Sequence, residues 1–190
     1  MSSKVDIVNQ GLLLLGARPI ISLDDETTEA STAKILYEPA KRQVLRDYPW
    51  RCATKVATLA RLTETPVDPH WNYAFQWPDD CLRILTIIEM DYPNNPDPTW
   101  VVENRKVYTY KDNIAARYIY NINEPDMDAT FEKALALKIA LDMCYALTAS
   151  NTREGQLAQL YAANIEEARI VDRQEGSHKT FSIDQLTKVR

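Results

Sequence analysis

Three acidic runs have the composition of a glycoside hydrolase's paired carboxylates: Asp24-Asp25-Glu26, Asp79-Asp80 and Glu166-Glu167, with Glu89 a further acid beyond the second. Each also has a structural use. The first precedes a helix, where acids cap orphan amides and complement the helix dipole. The second follows Pro78 in a turn, and the third lies on a solvated helix face. The two histidines, His70 in the loop Pro66–Trp71 and His178 in a polar tail, have no HExxH, HxH or CxxC spacing that would form a zinc site. No GxSxG elbow places a nucleophilic serine. Only 4 glycines occur in 190 residues, too few and too scattered for a phosphate cradle. Cys52, Cys81 and Cys144 are far apart and odd in number, which fits buried or half-buried thiols in a reducing compartment. These residues imply no catalytic, metal or cofactor site.

The aromatic residues are more concentrated. Trp71, Tyr73, Phe75 and Trp77 alternate, which puts four rings on one face of a strand, with Tyr48, Trp50, Tyr108, Tyr110, Tyr118 and Tyr120 nearby in sequence. Such a face serves as a platform for carbohydrate or single-stranded nucleic acid, as a sheet face packed on helices, or as a protein interface. The basic residues that a nucleic-acid platform recruits are missing from its flanks, which favours packing or an interface.

The elements that position these residues follow from periodicity. Ser2 or Ser3 caps a first helix over Lys4–Leu15, with Val5, Val8, Leu12 and Leu15 on one face, Gly16 as its left-handed stop and Pro19 beyond. A second helix starts near Glu26–Thr28 and reaches Asp47, with a kink or brief break expected at Pro39. Its apolar face is Ala33, Leu36, Tyr37, Ala40, Val44 and Leu45, and Tyr48-Pro49-Trp50 ends it. From Arg51 to Asn123 the pattern changes to short β-branched or aromatic runs: Lys55–Leu62, Tyr73–Trp77, Leu82–Met90, Lys106–Tyr110 and Ala116–Ile122. Pro93-Asn94-Asn95-Pro96-Asp97-Pro98 is a loop. Antiparallel strands in a small sheet or sandwich fit this stretch.

Helices return after Pro125. Asp128 caps a helix to about Ala149 that carries two apolar stripes. One stripe holds Phe131, Leu135, Ile139 and Met143, the other Leu137, Leu141, Cys144 and Leu147. Two-sided apolarity implies burial at the centre of the chain or against a neighbouring subunit. A fourth helix follows Ser150-Asn151-Thr152 and runs to about Arg173. A polar tail closes the sequence, with Phe181, Ile183 and Leu186 as its isolated apolar points. The expected fold class is α+β, mainly α: an antiparallel helical bundle of two N-terminal and two C-terminal helices (1–50 and 125–175), a small antiparallel β region inserted at 51–124, and an extended tail at 176–190.

Composition sets limits on function. Hydrophobic residues at 45% and charged residues at 26% lie in the range of globular domains. No run approaches the ~20 apolar residues of a membrane span, and Asp6, Asn9 and Gln10 interrupt any signal-like start. The reading is a soluble protein that stays in the cytosol where it is made. A net charge of −5 gives no general footprint for nucleic acid.

Several short motifs in fixed order carry a resemblance. They are Leu15-Gly16-Ala17-Arg18-Pro19-Ile20, Ser22-Leu23-Asp24-Asp25, Val44-Leu45-Arg46-Asp47-Tyr48-Pro49-Trp50, and Trp71-Asn72-Tyr73-Ala74-Phe75-Gln76-Trp77-Pro78-Asp79-Asp80-Cys81-Leu82-Arg83. In this order the chain resembles the tail tubular protein A family, the head-to-tail adaptors or head-completion proteins of short-tailed, podovirus-like phages. The likeness runs from about residue 4 to 175 and is strongest in the first half. It implies a structural virion protein without catalytic residues, made in the bacterial cytoplasm and assembled as a twelve-fold ring. The implied partners are the portal protein, the tail nozzle protein and further copies of itself. Double-stranded DNA would pass through the ring during ejection without specific binding, a passage that an acidic subunit suits. The likeness implies a helical domain with a β-rich region and a C-terminal segment that reaches the portal. Phe181, Ile183 and Leu186, with Leu137, Leu141 and Leu147, are the candidate portal or subunit interface. Trp71, Tyr73, Phe75 and Trp77 are the candidate nozzle-side or sheet aromatics. The competing readings are a cell-envelope glycan hydrolase acting through Asp79, Asp80 and Glu89, and a glycan-binding tail module using the tryptophan-rich strand.

Overall fold

Helix α1 spans Lys4–Leu15 and begins in a reciprocal capping box: the Ser3 hydroxyl accepts from the Asp6 amide, and the Ser3 amide donates to the Asp6 carboxylate. Gly16 stops it at φ 69°, a left-handed position that a side chain would strain. The chain then folds back along the helix, because Asn9 holds Ile20 at both ends. Its amide nitrogen donates to the Ile20 carbonyl (2.9 Å), and its oxygen accepts from the Ile20 N–H (2.8 Å). Helix α2 runs over Thr28–Asp47. The structure, a computed structural model, describes residues 2–91 and 99–175, with side chains through residue 171. The expected loop at Pro93–Pro98 and the tail residues Phe181, Ile183 and Leu186 lie outside the described residues.

A short 3-10 turn at Arg51–Ala53 leads into six strands: β1 (Thr54–Thr58), β2 (Tyr73–Gln76), β3 (Cys81–Glu89), β4 (Trp100–Glu103), β5 (Lys106–Thr109) and β6 (Ile114–Tyr120). They form two antiparallel sheets, ordered β1-β6-β3 and β2-β5-β4. Asn104 and Arg105, both at positive φ, make the two-residue β4–β5 turn, the geometry that matches strand twist. After β1 the chain leaves the first sheet and joins the second, where the Leu62 N–H donates to Ala74 O and the Gln76 N–H to Ala60 O. The segment that runs on from β1 to Leu62 thereby links the two sheets.

Helices α3 (Ala129–Thr148) and α4 (Asn151–Glu175) complete the chain. Asp128 caps α3, accepting from the Phe131 N–H at 2.7 Å, and Ala149 ends it at φ 50°. Helix α3 packs against α1, α2 and α4. Its first apolar stripe is thus consumed inside the chain and its second in part, with Leu141 and Leu147 half-buried. At Gly11 a Cβ would stand 3.0 Å from the Ala136 carbonyl, so glycine lets α1 approach α3 at backbone distance.

Two cores result. The larger joins the helices to the inner face of the first sheet: Ile7, Leu12, Tyr37, Leu45, Trp50, Phe131, Leu135 and Ile139 gather with Ile119 and Ile122. The smaller lies between the sheets, with Ile84, Ile87, Ala116 and Tyr118 facing Phe75 and Val107. Strand β6 serves both, with Ile119 in one core and Ile114, Ala116 and Tyr118 in the other.

This architecture corrects the expectation of a helical bundle with a small β insert. Four helices and two three-stranded antiparallel sheets among the described residues, 48% helix and 21% strand, make a mixed α/β fold. The strand-rich segments are legible locally, but their division into two sheets depends on pairings such as Thr54 with Ile119, which no local pattern encodes. Those pairings give the strands a core of their own. Of the kink or brief break expected at Pro39, the break is absent, since α2 continues through it. Pro39 is exposed on the side of Ile35, where water can satisfy the carbonyl that loses its partner.

Candidate functional site

The acidic runs are drawn into local structure. Asp25 accepts from the Ile21 and Ser22 amides and closes the turn before α2, while Asp24 pairs with Lys34 at 2.7 Å. The cap of α2 is Thr27, whose hydroxyl accepts from the Ala30 N–H, so the acids shape the turn rather than cap the helix. Glu166 pairs with Arg169 and Glu167 with Lys133 on exposed surface.

Asp80 is the best-organised of these carboxylates. It pairs with Lys55 and accepts from the Tyr118 hydroxyl at 3.1 Å, and the Lys55 ammonium lies 4.6 Å from the Tyr120 ring centre. Burial opposes its ionisation, but the Lys55 and Tyr118 donors outweigh that and hold its carboxyl below the usual range. A carboxyl kept ionised in this way is unsuited to general-acid work. Glu89 pairs with Lys111 at 2.9 Å at the far end of β3. At ~3.3 Å per residue the nine steps along β3 separate Asp80 from Glu89 by roughly 30 Å. The two-carboxylate mechanism needs less than about 10 Å.

A second charged group joins the helices to the strand region's exit. Lys41, 3% exposed, donates to Glu124 at 3.0 Å, and the Tyr37 hydroxyl donates to the same oxygen at 3.2 Å. Burial again opposes the ionised Glu124, yet Lys41 and Lys4 hold its carboxyl below the ordinary range. Burial, with Glu124 beside it, drives the Tyr37 hydroxyl well above its usual value. The group welds α1, α2 and the segment before α3.

The thiols do not form a reactive centre. Burial pushes both Cys52 and Cys81 up to about 12, and Cys144 is buried and shares a weak contact with the Thr148 hydroxyl. The His70 ring is exposed and contacts Asp68 at 2.7 Å. No group of three or more metal-binding side chains occurs among the described residues. No helix among them is long and apolar enough to cross a membrane.

The aromatic series divides. Phe75 is buried between the sheets, and Tyr73 and Trp77 pack against that core. The Trp77 indole donates to the Cys81 carbonyl at 3.0 Å, and the Arg61 guanidinium covers the Tyr73 ring at 4.1 Å. Trp71 lies before β2 and rests on Tyr110 at 5.0 Å, away from the other three. One continuous four-ring platform is therefore not present. Of the interface candidates, Leu137 is buried, while Leu141 and Leu147 are half-buried against the helical core.

One concavity was not anticipated. Between α2, α3 and α4 lies an open cleft of about 750 Å³. Leu141 and Tyr145 line it from α3, Leu36 from α2, and Gly155 and Ala158 from α4, with Lys138, Asp142 and Glu154 as its charges. Lys138 and Asp142 pair at 2.6 Å, which leaves Glu154 as the unbalanced charge. A glycine inside an otherwise helical run was the one sequence signal for it, since Gly155 leaves open space where a side chain would stand. Compared with known proteins, no family model matches the chain, and no curated protein matches it significantly.

Proposed function

We propose that this chain is a structural adaptor subunit of a phage head-to-tail connector, one copy in a ring that joins the portal protein to the tail nozzle and encloses a passage for DNA. The observation that carries this reading is the ordered series of motifs that resembles the tail tubular protein A family. Those motifs fall at the joints of the fold. Gly16 and Ile20 turn the chain back on α1, and Trp50 fixes the end of α2 through its bond to Val44 O (2.8 Å) and edge contacts with Tyr48 and Phe131. Trp77 and Asp80 brace the entry to β3. Residues spent in this way define a rigid body whose function rests on outer surfaces. Leu13 (66% exposed) and Ile35 (72%) place apolar side chains on the outside of the helical layer, as contacts between copies require. The acidic balance keeps affinity for passing DNA low.

The test is direct. Electron microscopy and light scattering of the chain mixed with a short-tailed phage portal protein should show a ring-shaped complex. A chain that remains monomeric and ignores the portal at every concentration overturns the proposal.

One observation favours a second reading, glycan binding at the tail. The half-buried Trp71 and the exposed Tyr110 form an aromatic pair beside Asp68 and Glu103. Host-surface glycan should then quench tryptophan fluorescence in the native chain and not in Trp71→Ala, and equal responses dispose of it.

A further inference from the structure

We infer that the cleft between α2, α3 and α4 receives the C-terminal segment of a second copy of this chain, with Phe181, Ile183 and Leu186 as the inserted side chains. The inference rests on the ring reading above and supplies the contact that would build the ring.

The cleft has the chemistry of a peptide groove. Leu36, Leu141, Tyr145 and Ala158 give it an apolar surface, with Tyr145 63% exposed, and Glu154 gives its rim an uncompensated negative charge. The segment after Glu175 has the opposite character. Lys179, Lys188 and Arg190 against Asp184 give residues 176–190 a net charge of +2, in a chain whose other residues total −7. Its apolar residues are spaced singly among polar ones, as in a segment that places side chains in a groove without a core of its own.

Chain length decides whose segment it is. The cleft lies at the start of α4, around Gly155, and the segment leaves from the other end at Glu175. Along an α-helix that separation is ~30 Å. Fully extended, the chain from Glu175 carries Phe181 at most ~22 Å and Ile183 at most ~29 Å. Even doubled straight back along its own helix, the chain leaves Phe181 short of the nearest wall residue, Ala158, ~26 Å away, so although Leu186 reaches that far, the three side chains cannot enter their own cleft together. A neighbouring copy has no such limit. A contact in which the tail of one copy enters the groove of the next is heterologous and repeats around an axis until it closes.

Two full-length variants test this together. Gly155→Trp projects a ring into the cleft from a position where an added Cβ meets no atom within 4 Å, and circular dichroism of the variant checks that its helices are intact. Phe181→Asp/Ile183→Asp/Leu186→Asp disables the segment and leaves the cleft intact. The native chain should self-associate in sedimentation equilibrium, and each variant alone should associate at least tenfold more weakly. An equimolar mixture should form a one-to-one dimer and stop, because only one productive pairing remains. Variants that associate like the native chain, or a mixture that stays monomeric, overturn the inference. Portal binding is measured separately on the native chain. A portal complex without the mixed dimer rejects this contact and keeps the adaptor reading; a mixed dimer without a portal complex does the reverse.

Discussion

The helical core and the sheet core solve the same packing problem with different resources. The helical core draws on four helices and the inner face of a sheet, and it keeps a charged pair, Lys41 and Glu124, almost wholly out of water. The sheet core is a thin layer between two three-stranded sheets, and its comparable pair, Lys55 and Asp80, sits half in solvent at the edge. A large surround can hold a desolvated ion pair in register, whereas a thin one leaves such a pair at its margin. The charges of the first core should therefore matter much more than those of the second.

The largest expected effect tests the cores themselves. Phe131→Ala removes a ring that is 0% exposed and in edge contact with Trp50, and should cost ~3–5 kcal/mol. Phe75→Ala deletes a ring of the same size from the thin core, where neighbouring strands can close in, and should cost ~3 kcal/mol. Denaturant midpoints followed by circular dichroism measure both, and an equal or larger loss for Phe75→Ala breaks the ranking.

Next comes the buried pair. Glu124→Gln leaves Lys41 without its counter-charge and should cost ~2–3 kcal/mol at neutral pH. Because the folded carboxyl is held below its ordinary range, its contribution is present above the unfolded-state value of about 4.3 and lost as pH falls through the folded one. Stability of the native chain should accordingly fall faster below that value than stability of Glu124→Gln. Parallel acid limbs would show that the pair stabilises nothing.

Gly16→Ala forces a side chain into the left-handed turn after α1 and should cost ~1 kcal/mol, read as a shift in denaturant midpoint. The smallest effect belongs to the exposed pair: Asp80→Asn should cost less than ~1 kcal/mol, since solvent screens its contact with Lys55. A loss matching that of Glu124→Gln would erase the contrast between the two cores.

Sequence alone fixes those elements whose ends carry their own chemistry. Ser3 and Gly16 bound α1, and Asp128 and Ala149 bound α3, because caps act on amides and carbonyls within four residues of themselves. Strand β4 escapes notice because Trp100-Val101-Val102-Glu103 is four residues long and half-buried, defined by its pairing with β5 more than by its own pattern. Asp80 is visible as an acid but its role is not, since Lys55 and Tyr118 come from 25 and 38 residues away. The cleft is hidden for the same reason: three helices from opposite ends of the chain line it, and only Gly155 marks its place.

The close approach of α1 to α3 at Gly11 also has a consequence during synthesis. Ile7, Leu12 and Leu15 are made on the ribosome well before Ala136 and Ala140, which must lie beside Gly11. At ordinary elongation rates the intervening sequence takes on the order of ten seconds to emerge. For that interval the apolar face of α1 lacks the α3 surface on which it packs in the folded chain. The close seam at Gly11 therefore forms only after about three quarters of the chain has been made, a delay set by the distance in sequence between α1 and α3.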